Sequence, residues 1–306
     1  MSRNQGIDRE LTSFLQQNKP RAGSFIITLF GDVISQHGNC VWLGSIIDRL
    51  AFFDLNARQI RTAVSRLVQE NWLQSEQLGR KSFYSLTGFG ERQYERAARR
   101  IYGNNLSVWD GEWTLVLLAQ LDVTLREQVR RELVWMGFGQ INFGAFAHPS
   151  VDRKVLAELI SELKIEKQLM IMGARTDELT NQDTVENITY QAWKLDELKP
   201  RYERFCQLFE RLLEQLPGTV ERDGQQMFEL RLIMIHEYRR LLLKTTELPH
   251  ELLPDKWPGA RAMEITSTLY QETTVGALNF ISQSLQSSRG TLPSAGDDFH
   301  QRFNRH

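Results

Sequence analysis

The 306-residue sequence has only two cysteines and no long hydrophobic run. Cys40 and Cys206 are too few and too far apart for a disulfide framework, so we expect two buried thiols in a reducing cytoplasm. No apolar stretch approaches the roughly 20 residues that a membrane-spanning helix requires. The N-terminal stretch MSRNQGIDRELTSF has no apolar core and no small-residue cleavage site. The sequence therefore predicts a cytoplasmic protein without a secretory signal or a membrane partner.

Motifs of catalysis are equally scarce. HEYRR, residues 236–240, begins like a zinc-protease motif, but Arg240 stands where the second histidine is required. GFGQINFG lacks the third glycine of a dinucleotide-binding loop, and the sequence contains neither a nucleophile elbow nor a P-loop. The other histidines lack the spacing of metal ligands. We therefore expect no catalytic residue, no metal site, no cofactor and no enzymatic activity.

One carboxylate leaves an enzymatic alternative open. Asp122 follows the apolar run 115–118 and would stand near the end of a buried strand. A metal-dependent nuclease could use such a carboxylate as a metal ligand. Aspartate at the end of a strand is more often a turn residue, because its side chain bonds to nearby backbone groups.

Charge is unevenly distributed, although the net charge is only −1. Residues 1–102 contain 14 of the 37 Lys and Arg residues and 9 of the 38 Asp and Glu residues, a balance of +5. The rest of the chain therefore carries 23 basic and 29 acidic residues, a balance of −6. A basic first third followed by an acidic remainder favours a nucleic-acid-binding head on a partner-binding body.

The stretch NARQIRTAVSRLVQENW, residues 56–72, predicts an amphipathic helix. Asn56 is a favourable N-cap, and Gln59 completes a capping box. Apolar residues at helical spacing form a core-facing stripe: Ile60, Ala63, Val64, Leu67 and Val68. The polar side of the same helix carries Arg58, Arg61, Thr62, Ser65, Arg66 and Gln69. Taken alone, this side is equally consistent with an ordinary solvated face.

The neighbours of this helix favour DNA binding. SFIITLFGDVISQHG and VWLGSIIDRLAFF predict two preceding helices, and WLQSEQLGRKSFYSL predicts a following hairpin whose turn contains Gly79. Three helices and a hairpin with Arg80 and Lys81 at its tip predict a winged helix-turn-helix over residues 1–103. Its third helix would read bases in the major groove, whereas Arg66, Arg80 and Lys81 would contact phosphates.

The remaining sequence predicts a mainly α protein with α+β character. Residues 104–184 read as β-α-β-α-β, with INFGAFAHP as one strand, and predict a small α+β domain of ferredoxin-like type. Residues 185–283 predict a helical domain with a break at Pro200. Residues 284–306 are polar and carry Ser and Gly, so we expect a flexible tail.

Several segments resemble one family, the PaaX-type repressors of the phenylacetic acid degradation operon. The resemblance rests on ARQIRTAVSRLVQENWL joined to GRKSFYSLT, on WDGEW, on ELVWMGFG, and on HEYRRLLLKTTELPHELLPDKWPG. It extends from about Ser24 to about Gln283, and its most specific part is LPHELLPDKWPG with the preceding YRR.

This resemblance implies a homodimeric cytoplasmic repressor that binds a palindromic operator in double-stranded DNA. It also implies release from DNA by the effector phenylacetyl-CoA, and it makes residues 185–283 an effector and dimerisation domain. The family's middle domain is similar to the ferredoxin fold of CRISPR-associated small nucleases, without a nuclease role. A related repressor that answers to another acyl-CoA in another aromatic-acid pathway is the alternative.

The effector site is predicted from chemistry, because the resemblance supplies no signature for it. An acyl-CoA needs cations for its phosphates and an aromatic slot for its phenyl group. The candidate residues are His236, Tyr238, Arg239, Arg240, Trp193 and Trp257. The alternative is that Tyr238 and Trp257 pack helices and that the arginines form ion pairs.

Overall fold

The computed structural model describes residues 4–103, 109–119, 121–216, 222–242 and 248–303. The fold is mainly helical with small antiparallel sheets, in agreement with the predicted mainly α protein with α+β character. The chain divides into two compact units. Unit 1 comprises residues 1–105, 205–240 and 260–306, and unit 2 comprises residues 106–204 and 241–259.

In the first third, the helices of the described residues follow the predicted order. After residue 181, most of the described residues are helical. The helices are α1 (Gln5–Gln17), α2 (Ala22–Asp32), α3 (Leu43–Leu50), α4 (Ala57–Gln69), α5 (Gly88–Tyr102), α6 (Val123–Trp135), α7 (Arg153–Leu163), α8 (Gln182–Ala192), α9 (Leu195–Glu214), α10 (Gly224–Leu242), α11 (Gly259–Ser284) and α12 (Asp297–His300).

The strands of the described residues form three separate antiparallel sheets. They are β1 (Val41–Trp42), β2 (Leu73–Leu78), β3 (Lys81–Leu86), β4 (Glu112–Leu118), β5 (Gly139–Asn142), β6 (Ala145–His148), β7 (Leu169–Arg175), β8 (Gln286–Ser287) and β9 (Gly290–Thr291). The sheets have the orders β1-β3-β2, β5-β6-β4-β7 and β8-β9.

Helix α4 forms for the reasons that the sequence gives. The predicted capping box is confirmed, because the Asn56 side chain accepts from the Gln59 amide at 3.0 Å and the Gln59 side chain accepts from the Asn56 amide at 2.9 Å. Ile60, Val64 and Leu67 are buried, and the helix packs against α2. Burial of each of these side chains contributes about 1.5–3 kcal/mol to folding.

Unit 2 contains one more strand than predicted. INFGAFAHP is divided between β5 and β6, because Gly144 donates its amide to the Asn142 side chain at 3.0 Å and the chain reverses there. The observed order is therefore β-α-β-β-α-β, and helices α6 and α7 contribute core residues that pack with the sheet. The core comprises Val116, Val129, Leu133, Phe138, Phe146, Leu156, Ile160 and Ile165.

The predicted helix break at Pro200 is wrong. Helix α9 continues through Pro200, and the chain instead breaks at Lys194, whose φ of 51° is left-handed. Pro200 lies in the second turn of α9, so the missing amide affects a single hydrogen bond near the start of the helix. The last third is helical, as predicted, but its helices begin and end at other residues than expected.

The prediction of a flexible tail over residues 284–306 is wrong for the described residues 284–303. Phe299 and Phe303 are 3% and 2% exposed, and Leu285 and Leu292 are also buried. The two phenylalanines of this polar segment pack on Tyr102 and Tyr270. The segment therefore lies on the surface of unit 1 and is anchored there by a few buried side chains.

A buried carboxylate at the end of α2 organises unit 1. Asp32 is 1% exposed and accepts from Arg231 at 2.9 Å and from Arg302 at 3.2 Å. The hydroxyl groups of Tyr102 and Tyr270 complete its shell at 2.9 Å and 3.2 Å. Burial raises the pKa of Asp32, but the two guanidinium groups outweigh burial and hold it below its ordinary value. We call these five residues the Asp32 cluster.

We expect Asp32→Ala to lower the free energy of unfolding of unit 1 by about 3–5 kcal/mol, because it leaves Arg231 and Arg302 buried without a counter-charge. Urea unfolding followed by circular dichroism measures the change. Arg66→Ala is the control, since it breaks only the exposed pair with Glu70 and should cost less than about 1 kcal/mol. Similar small losses in both variants would contradict the role of the cluster.

Candidate nucleic-acid interface and effector cleft

The polar side of α4 is a continuous exposed surface. The predicted base-reading and phosphate-binding residues of this helix are all exposed: Arg58, Arg61, Thr62, Ser65, Arg66 and Gln69. Burial of the apolar stripe directs these side chains away from the core of unit 1. Arg66 forms an i,i+4 pair with Glu70 at 3.5 Å, whereas no ion pair of Arg58 or Arg61 is found among the described residues.

The hairpin after α4 has the predicted tight turn. Leu78 pairs with Lys81, and Gly79 adopts a φ of 61° in the two-residue loop between them. Arg80 is the other loop residue and is exposed. The Lys81 ammonium group lies 4.5 Å from the ring centroid of Trp42. Both basic residues of the tip are exposed.

His236 is buried inside unit 1. It is 1% exposed, its Nδ1 lies 3.0 Å from the Thr28 hydroxyl, and its ring lies 4.7 Å from that of Phe25. Burial, reinforced by the charges of Arg239 and Arg240, lowers the pKa of His236 to about 3. The imidazole is therefore neutral at physiological pH.

The other predicted effector residues occupy separate environments. Tyr238 is 4% exposed and packs against Phe205, while Arg240 pairs with Glu237 at 2.8 Å. In unit 2, Trp193 donates to the Gly137 carbonyl at 3.0 Å. Trp257, also in unit 2, packs against Tyr202 with ring centroids 5.5 Å apart. Tyr238 and Trp257 thus pack against neighbouring rings and Arg240 forms an ion pair, as in the alternative interpretation. Residues 243–247, between HEYRR and DKWPG, lie outside the described residues.

Arg239 differs from these residues because it lines a cleft. The cleft lies within unit 1 between α2, α5 and α10, and its walls include Thr28, Trp72, Tyr94 and Tyr102. The Arg239 guanidinium donates to Ser24 and Thr28 oxygens over long distances of 3.3–3.5 Å. Among the described residues, no carboxylate lies within ion-pair distance of it. The cleft is therefore lined by Arg239, by aromatic side chains and by the Asp32 carboxylate, and its free volume of about 20 Å³ is little more than one water molecule needs.

Asp122 serves as a helix cap. Its carboxylate accepts from the Leu125 amide at 2.9 Å and so begins α6. The described residues contain no group of three or more potential metal ligands. This arrangement supports the turn interpretation of Asp122 and offers nothing in favour of the nuclease alternative.

Sequence reasoning missed the residues that the C-terminal segment brings to unit 1. Arg302 donates to the Gly31 and Asp32 carbonyls at 3.1 Å and 2.9 Å, and so satisfies the C-terminal end of α2. The presence of two phenylalanines, Phe299 and Phe303, in an otherwise polar segment was the available signal that it packs. No such signal identified Asp32 itself.

The arginine-rich exposed side of α4 beside a basic hairpin tip is typical of DNA-binding regulators. Three family models match the chain: "PaaX-like protein" over residues 21–90, "PaaX protein central Cas2-like domain" over residues 106–186, and "PaaX-like protein C-terminal domain" over residues 193–283. The chain is 34% identical over 281 residues, 92% of its length and 89% of the relative's, to the transcriptional repressor PaaX of Escherichia coli (strain K12). The chain belongs to the PaaX family.

In the described part of the chain, no helix has the length and hydrophobicity that crossing a membrane requires.

We expect His236 to make the stability of unit 1 dependent on pH. Its pKa in the folded protein, about 3, lies below the ordinary value of 6.5, so the unfolded chain binds the extra proton between these values. Stability should therefore fall as pH is lowered from about 6.5, by up to about 1.4 kcal/mol per pH unit.

Chemical denaturation at a series of pH values checks this prediction, with His236→Gln as the matched variant. The difference in unfolding free energy between wild type and variant isolates His236 from the carboxylates that titrate in the same range. A difference that does not change between neutral pH and pH 4 would contradict it.

Proposed function

We propose that this protein is a DNA-binding transcriptional repressor. The observation that carries the proposal is the exposed arginine-rich side of α4 beside the basic tip of the β2-β3 hairpin. This region lies within the segment that matches the "PaaX-like protein" model, and the relative from Escherichia coli is named a transcriptional repressor. Charge supports the same conclusion, because the first third has an excess of basic residues.

The DNA-binding head is a winged helix-turn-helix in this proposal. Helices α3 and α4 form the helix-turn-helix, with α4 in the major groove and the β2-β3 hairpin as the wing along the backbone or minor groove. Arg58 and Arg61 suit bidentate contacts to guanine, and Thr62 and Ser65 allow close approach to base edges. The strand order β5-β6-β4-β7 and the β-α-β-β-α-β sequence support a ferredoxin-like middle domain.

Arg61→Ala should weaken binding to the operator by about 1–3 kcal/mol while leaving binding to unrelated DNA nearly unchanged, because a base contact is lost. Lys81→Ala should instead weaken binding to both DNAs and flatten the salt dependence, because a phosphate contact is lost. Fluorescence anisotropy with promoter and mixed-sequence duplexes measures both. Equal losses in the two variants across all sequences would contradict the assigned roles.

The effector in this proposal is phenylacetyl-CoA, and the repressor acts as a cytoplasmic homodimer on a palindromic operator. In this proposal the thioester contacts Arg239, Trp72 and Tyr94 only after the cleft opens, because its present free volume of about 20 Å³ is little more than one water molecule needs. Trp72 also follows α4 directly and donates its backbone amide to the Leu67 carbonyl at 2.9 Å. A ligand that displaces Trp72 would therefore shift the C-terminal end of α4.

Release requires that the thioester bind two conformations of the protein with different affinity. In this mechanism, the conformation that phenylacetyl-CoA favours misplaces the two recognition helices relative to the operator half-sites. The cleft residues belong to the same unit as α4, so the effector and the DNA-binding surface are linked through packed helices.

We expect phenylacetyl-CoA to release the protein from the promoter of a phenylacetate catabolic operon in a mobility-shift assay. Binding that persists at saturating thioester would contradict the choice of effector. A thermal-shift panel of aryl and alkyl thioesters tests the alternative effector, because a ligand that binds only the folded state raises the melting temperature.

Arg239→Ala tests the cleft in the same assay. The variant should bind the promoter like wild type but need a higher thioester concentration for release. Arg240→Ala is the matched control, because Arg240 is exposed and already paired with Glu237. The same loss of response in both variants would contradict a specific role for Arg239.

A further inference from the structure

The C-terminal hairpin, residues 286–291, is an ordered element of unit 1. Strands β8 and β9 pair Gln286 with Thr291 and Ser287 with Gly290. Leu285 and Leu292, which flank the hairpin on both sides, are 1% and 4% exposed. Both ends of the hairpin are thus anchored in the core, so its loop is held in a defined place.

The C-terminal hairpin lies against the parts of the head that approach DNA in the proposed function. The Gln286 amide donates to the Ser45 hydroxyl at 3.2 Å, and Ser45 lies in the first turn of α3. The Gln286 side chain accepts from the Lys81 ammonium group at 3.2 Å, and Lys81 belongs to the wing. The Cys40 thiol lies 3.5 Å from the Ser288 hydroxyl as a third contact.

The loop of this hairpin presents an arginine to solvent. Ser288 and Arg289 connect the two strands, and Gly290, with a φ of 113°, allows the tight reversal. The Arg289 amide donates to the Ser287 hydroxyl at 3.2 Å, which fixes the backbone while the side chain is exposed. Within the described ranges, the guanidinium group has no carboxylate at ion-pair distance.

Some exposed arginines of unit 1 are neutralised by neighbours, whereas Arg58 and Arg61 of α4 have no ion pair among the described residues. Arg66 pairs with Glu70 at 3.5 Å, and Arg261 pairs with Glu210 and Glu264 at 2.6 Å and 2.8 Å. Arg289 has no such neighbour among the described residues, and its loop is held beside the basic hairpin tip by the contact between Gln286 and Lys81. An exposed guanidinium group without an ion-pair partner is suited to bind an external anion such as a phosphate.

We propose that Arg289 extends the DNA-binding surface by contacting the phosphate backbone next to the wing. This inference rests on the proposed function. In a helix-turn-helix, the first helix crosses the backbone, and the C-terminal hairpin is bonded both to the start of that helix and to the wing. An arginine projecting from this position meets phosphates and not base edges, so it adds affinity without sequence information.

The test is a salt titration of DNA binding with full-length Arg289→Ala. A single phosphate contact contributes about 0.9 to the slope of log K against log salt concentration, so the slope should fall in magnitude by about this amount. Affinity should fall by the same factor for the promoter and for a mixed-sequence duplex. Arg289→Lys should restore the slope, since a phosphate contact requires a cation and not the guanidinium fork.

Arg9→Ala is the matched control, because it removes the same charge from an exposed position on α1. An unchanged slope in Arg289→Ala, or an equal change in Arg9→Ala, would overturn the inference. A loss confined to the promoter would also overturn it, because Arg289 would then read bases. Failure of the wild type to bind either duplex would instead overturn the proposed function itself, and the inference with it.

Discussion

Unit 1 depends on the neutralisation of one buried carboxylate. Asp32 ends α2, where the helix dipole disfavours a negative charge, and its burial adds a large desolvation cost. Arg231 of α10 and Arg302 of the C-terminal segment offset this cost, and Tyr102 and Tyr270 add hydrogen bonds from α5 and α11. The cluster therefore ties together four helices and the end of the chain through groups that cannot be left unpaired.

This constraint explains why the head and the C-terminal helices form one unit. Here α2 contributes Thr28 and Asp32, which contact α10, while α4 packs on the other elements of the head. The Arg239 cleft borders the Asp32 cluster, because Asp32 and Tyr102 line it. A ligand in the cleft would therefore act next to the interactions that hold the unit together.

The proposed DNA-binding surface is assembled from parts of the chain that are distant in sequence. The wing and α4 come from the first third, whereas the C-terminal hairpin arrives more than 200 positions later and bonds to Lys81 and Ser45. The polar composition of this last segment reflects its place at the surface. Its order comes from a few apolar anchors, Leu285 and Leu292 around the hairpin and Phe299 and Phe303 beyond it.

The sequence by itself determined the local features whose causes are local. The capping box of α4, its apolar stripe, the Gly79 turn and the basic hairpin tip follow from residues within a few positions of one another. Only the tertiary structure decided that 284–303 folds onto unit 1, that His236 and Tyr238 are buried, and that Arg239 faces a cleft. These outcomes depend on long-range contacts such as Arg302 with Asp32, 270 positions apart, and no local periodicity encodes which distant charge a buried group will meet.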